Sequence, residues 1–222
     1  MPGKPLVNIC FHGIGTPKRD LEPGEDAYWI GADQYLRILD EIATWPSVQI
    51  SFDDGNASDI ELGLPALLER ELTADFFVLA GRLDTAGSLS SNDVRELRRH
   101  GMGIGTHGMW HRSWRGLSAA RRFEEFVTAR QRLAEASRTA VEIAACPLGR
   151  YDRRALNSLR TLGYRRVYTS DRRRARAGAW FQPRFSVRNQ DTPENLRAEA
   201  LTGPDLATRT RRRLAASIKR WR

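Results

Sequence analysis

Residues 48–80 read VQISFDDGNASDIELGLPALLERELTADFFVLA. The run 48–54 is strand-like and ends in two acids. The stretch 58–72 reads as a helix with Ser58 placed to cap it, and 74–80 is again apolar and aromatic. Strand, helix and strand in this order and at these lengths imply a parallel crossover.

The same alternation extends in both directions. Further strands are expected at 6–14, 103–107, 141–147, 165–170 and 181–187, and further helices at 32–44, 91–100, 118–137, 152–162 and 192–201. Ser91, Ser118, Asp152 and Thr192 are candidate N-caps, while Gly101 and Gly163 sit where helices end on glycine. Phe123, Phe126, Val127, Leu133 and Ala134 form one apolar stripe at helical period. The fold class is α/β with parallel strands, and an open doubly wound sheet and a closed barrel satisfy the alternation equally.

At 222 residues the chain fits one domain, and 41% hydrophobic content supports a core and excludes global disorder. No run approaches the roughly 18 apolar residues of a membrane span. MPGKPLVNICFHG at the start has no secretory apolar core, so a cytoplasmic location is expected. The net charge of +9 is concentrated late: Arg209, Arg211, Arg212, Arg213, Lys219, Arg220 and Arg222 leave only +2 on the rest. Nucleic acid is therefore not an expected partner, since its binding needs a basic folded face. Cations in the last turns of a helix suit its dipole, and the segment 209–222 could also contact an anionic surface. Cys10 and Cys146 each lie in an apolar run and read as buried free thiols.

Chemistry concentrates at strand ends. Ser51-Phe52-Asp53-Asp54-Gly55 closes one strand with adjacent carboxylates; Asp-Gly suits a turn, but a turn accounts for Asp54 better than for Asp53. Thr106-His107-Gly108-Met109-Trp110-His111 follows another strand. Its histidines, four apart, would share one face of a helical turn and could share a metal. The long loop at 15–31, rich in proline, glycine and charge, follows the first strand at the end where parallel β/α folds place their sites.

These segments resemble the NodB-like polysaccharide deacetylases, a carbohydrate esterase family. Its T/S-F-D-D-G strand end matches 51–55. Its H-S/T-x-x-H matches His107 and His111, with Gly108 in the Ser/Thr place. Its R-x-P-Y/F-G corresponds to Ala145-Cys146-Pro147-Leu148-Gly149. The resemblance implies a single NodB-like domain over 1–205, a distorted (β/α)7-type barrel, followed by the basic tail 206–222. It implies a divalent metal, commonly zinc, held by Asp54, His107 and His111, and Asp53 as general base. The backbone N–H of Leu148 would hold the oxyanion. The substrate would be a carbohydrate bearing an N-acetylated amino sugar, contacted by Trp110, Pro147 and Arg184.

The departures are specific. Ala145 and Leu148 replace the arginine and the aromatic of the third motif, and no histidine follows His111, so the late L-x-H general acid has no counterpart. His12 is the spare imidazole at a strand end; that side chain ordinarily titrates near neutrality and suits an acid. A buried structural histidine is the competing reading of His12. Hydrolysis of a different C–N bond by the same site (a deformylase or amidase) and a catalytically degenerate glycan-binding module are the alternative functions.

Overall fold

Strand β1 (Pro5–Phe11) pairs in parallel with β2 (Val48–Asp54), and the series continues through β3 (Ala74–Val78), β4 (Gly103–Thr106), β5 (Ile143–Ala145) and β6 (Arg166–Thr169). The computed structural model describes residues 3–202 together with 210, 214, 217 and 218. The tail expected at 206–222, with its basic residues and anionic contact, lies outside the described residues except at those last four positions. No described helix is long and apolar enough to cross a membrane.

Closure decides between the two architectures. β8 (Phe181–Pro183) pairs with β6, and β9 (Phe185–Ser186) pairs with β1, both in parallel. These two pieces are one strand broken at Arg184, whose N–H still reaches the Thr169 carbonyl at 2.8 Å while Val187 N–H reaches Cys10 O at 2.8 Å. Seven parallel strands thus form a (β/α)7-type barrel. A short β7 (Ala175–Arg176), absent from the sequence reading, adds an antiparallel pair to the start of β1.

Helices cover the ring: α1 (Ala32–Ala43), α2 (Leu64–Leu68), α3 (Ser91–Arg99), α4 (Ala119–Phe123), α5 (Ala129–Ser137), α6 (Arg153–Thr161) and α7 (Pro193–Arg197). On α1, Tyr35, Ile38, Leu39 and Ile42 are buried at the spacing of one helical face. A π turn at Asp59–Gly63 leads into α2, and another at Glu124–Thr128 joins α4 to α5. Ser118, Asp152 and Thr192 cap their helices through the side chain; Ser90 rather than Ser91 caps α3, and Ser58 instead accepts from Ile14 N–H at 3.2 Å.

Strand alternation sorts the side chains by environment. Ile9, Phe11, Phe52 and Phe76 belong to the apolar layer under the helices, where Phe52 stacks on Phe76 at 4.7 Å between centroids. The intervening residues point into the barrel, which is polar. Asn8 donates to Gln182 at 2.9 Å, Tyr168 to Asp75 at 3.2 Å, and Arg184 to Ser51 at 3.0 Å. Gly105 on β4 is needed here, because a Cβ would enter the Phe77 ring.

Candidate active site

The C-terminal ends of the strands open on a cavity of about 230 Å³ whose wall includes His12, Glu22, Asp53, Asp54, His107 and His111. β2 delivers Asp53 and Asp54. His107 follows β4 directly and His12 follows β1. Asp54 ends its strand at φ 78, which turns its carboxylate out of the strand alternation and toward the histidines.

His107 Nε2 and His111 Nε2 each lie 3.6 Å from Asp54 Oδ1. The imidazoles converge without a helical turn. Residues 107–111 form a loop with positive φ at Gly108 (86) and at His111 (54), where a helical turn was expected. A Cβ at Gly108 would strike Glu125 Oε2, and that carboxylate accepts the Met109 N–H at 2.8 Å. Glu125, set by the π turn between α4 and α5, thus occupies the space of the hydroxyl residue in the H-S/T-x-x-H pattern.

Both imidazoles are oriented by their other nitrogen. His107 Nδ1 lies 3.0 Å from the Ala145 carbonyl, which can only accept, so Nδ1 carries the proton and Nε2 offers its lone pair. His111 Nδ1 lies 2.6 Å from Glu22 Oε2. Burial pushes His107 down to about 4, which keeps the ring neutral against the pull of Asp53 and Asp54. Burial alone would raise the Asp54 carboxyl, but His111 beside it holds it below its ordinary value. Among the described residues Asp54 Oδ1 is buried and makes no hydrogen bond. An unpartnered carboxylate oxygen facing two imidazole nitrogens is an N2O set suited to a divalent cation with positions left open.

Asp53 lies beside this group, 3.8 Å from His107 Nε2 and 4.0 Å from His12 Nε2. Its two oxygens each receive a bond of 2.6 Å from the guanidinium of Arg184. Burial opposes ionisation of Asp53, yet the Arg184 guanidinium outweighs it and holds the carboxyl well below the usual range. Arg184 in turn lies over the rings of Phe77 and Tyr168, at 5.1 and 5.7 Å. A second group of metal-binding side chains, Cys10, His12 and Asp53, shares this corner, but the guanidinium already bound to Asp53 opposes a cation there. Cys10 and Cys146 are both buried, and neither forms a disulfide.

The expected substrate contacts need correction. Arg184 is 0% exposed and lies behind Asp53, so it supports the carboxylate and cannot touch a ligand. Trp110 is outside the cavity wall, packed over Gly81 with Nε1 donating to Glu124 at 2.8 Å. Pro147 is buried, and its neighbour Leu148, at φ 57, forms the wall instead. The wall also contains Tyr28, Arg150, Ser170 and Ser186. Among the described residues His12 Nδ1 has no hydrogen-bond partner, and its ring packs on Tyr28 at 5.0 Å, so it is not the locked structural histidine of the competing reading.

Two contacts of the site have no signal in the sequence: Glu22 against His111, and Arg184 against Asp53. Glu22 stands in the loop whose composition marked it, but nothing in spacing selects it from the other acids there. Position 145 is alanine, and the guanidinium that pairs with Asp53 comes from the strand break at 184.

A sequence profile of the polysaccharide deacetylases matches residues 42–167, more than half of the chain. The chain belongs to the polysaccharide deacetylase family. It is 23% identical over 182 residues to YxkH of Bacillus subtilis (strain 168), itself assigned to the polysaccharide deacetylases; the match covers 75% of this chain and 64% of YxkH. The fold is that of the Streptococcus pyogenes deacetylase PplD, solved in complex with acetate, at TM-score 0.75 and 19% identity over 87% of this chain and 97% of PplD. It also matches IcaB of Ammonifex degensii at TM-score 0.69 and 22% identity, covering 88% of this chain and 95% of IcaB.

Proposed function

We propose that the chain hydrolyses the N-acetyl group of an amino sugar in a polysaccharide, glycolipid or sugar precursor, using a divalent metal, zinc by its donor set, held by Asp54, His107 and His111. One observation carries this reading: Asp54 Oδ1, buried and without a hydrogen bond, stands 3.6 Å from two Nε2 atoms whose protons are committed elsewhere.

When bound, the ion would supply Lewis acidity toward the acyl oxygen and toward a water's proton. The residues supply the remainder. Asp53, kept ionised by Arg184, takes the proton of the attacking water. Its depressed basicity is offset by certain ionisation and fixed aim. The backbone N–H of Leu148, a residue of the cavity wall, donates to the oxyanion. His12, whose Nε2 lies 4.0 Å from Asp53 Oδ2, returns a proton to the leaving amine and replaces the absent late histidine.

The test is metal content together with acetate release. Wild-type protein should hold about one zinc per chain and release acetate from a chitooligosaccharide or poly-N-acetylglucosamine panel. His107→Ala should lose the metal, and Asp54→Ala should lose both metal and turnover. Acetate release that persists in Asp54→Ala after chelation would refute the metal mechanism.

A further inference from the structure

The loop at 15–31 reaches the histidine pair through one side chain. Glu22 Oε2 lies 2.6 Å from His111 Nδ1, and Glu22 Oε1 is paired with Arg82, on the turn after β3. The loop is itself secured. Glu22 N–H donates to Glu25 Oε2 at 2.8 Å, Arg19 Nη1 donates to the same oxygen at 3.0 Å, and Arg19 Nε donates to Asn56 Oδ1 at 3.1 Å, two residues beyond Asp54. Glu22 is therefore held from three directions, and one oxygen is aimed at the far side of an imidazole whose near side faces Asp54.

A carboxylate that accepts the Nδ1 proton of a metal-facing histidine fixes the tautomer and ring angle and increases the electron density at Nε2. His107 has only a backbone carbonyl in that place. The two imidazoles are thus unequal, and the stronger donor is controlled by a segment distant from both in sequence.

We infer that Glu22 is a positioning residue for the cation: by its charge and its acceptor oxygen it makes His111 a competent ligand, so the β1–α1 loop is part of the metal centre. This rests on the reading of Asp54, His107 and His111 as ligands. Glu22 itself is not a ligand, because both of its oxygens are engaged by His111 and Arg82.

The full chain is titrated with zinc against a chromophoric chelator, and with cobalt by visible spectroscopy, in wild type, Glu22→Ala, Glu22→Gln and His107→Ala. Expected is a zinc Kd raised about 10–100-fold in Glu22→Ala, a smaller rise in Glu22→Gln, and shifted cobalt bands in both. Zinc affinity within twofold of wild type and unchanged cobalt bands in Glu22→Ala, with binding lost in His107→Ala, overturn the inference and leave the ligand assignment standing. Wild-type affinity in His107→Ala overturns the ligand assignment, and the inference with it. Should Glu22→Ala not fold, Glu22→Gln, which keeps the shape and removes the charge, decides on the same criterion.

Discussion

Arg184 and Asp53 are the most consequential pair at the level of single residues. The guanidinium offsets a carboxylate that is 1% exposed, and removing one partner of such a pair leaves an uncompensated buried charge. Arg184→Met is expected to destabilise the metal-free protein by about 3–5 kcal/mol at neutral pH, measured by denaturant unfolding. Because the Asp53 carboxyl is held below its unfolded value, its contribution is present above about pH 4 and lost as pH falls further. The difference between wild type and Arg184→Met should therefore shrink on acidification. His12→Gln, by contrast, should lower acetate release by about 10²–10⁴ while zinc affinity stays unchanged. The acids and histidines were legible because each sits where an apolar strand stops. Arg184 was not, because its partner is 131 positions away and its own surroundings, Pro183 and Phe185, resemble an ordinary strand.

Elements carry a different kind of information. All seven parallel strands and all six helical stretches of the sequence reading are present, generally shortened at their ends, because apolar period reports which segments are regular and not where their hydrogen bonds stop. The π turns have no signature in that period, since each is a single five-residue turn, too short to establish a period of its own. Yet the turn at Glu124–Thr128 has a function: it brings Glu125 beneath the histidine loop. Gly108→Ser, which would restore the residue type of the family pattern, is expected to destabilise this chain by about 1–3 kcal/mol through its left-handed φ and the collision with Glu125. In a Glu125→Ala background the same change should cost less. A double-mutant cycle on unfolding free energies measures the coupling, and full additivity would refute it.

For the whole molecule, open sheet and barrel predict the same succession of strands and helices, so only the pairing of residues 181–186 with both β6 and β1 distinguishes them. The closed ring has a polar interior and buried acids near its mouth, and this sets a dependence of stability on pH. Asp59, on the π turn behind Asp54, is buried, makes no hydrogen bond through either side-chain oxygen, and is pushed well up by burial and by the charge of Asp54. A carboxyl raised in the folded state contributes fully below its unfolded value of about 3.9, and that contribution is lost as pH rises toward the folded value. Stability of Asp59→Asn relative to wild type, measured in chelator, should therefore improve as pH rises above about 4 and level off once the folded carboxyl ionises; a flat difference would refute the assignment.

The break at Arg184 makes ring closure and chemistry a single event. A polypeptide still emerging from the ribosome, or cut ahead of that position, would own both acids and both imidazoles yet leave the Asp53 carboxylate without a counter-cation. That buried charge is neutralised only when the hoop shuts.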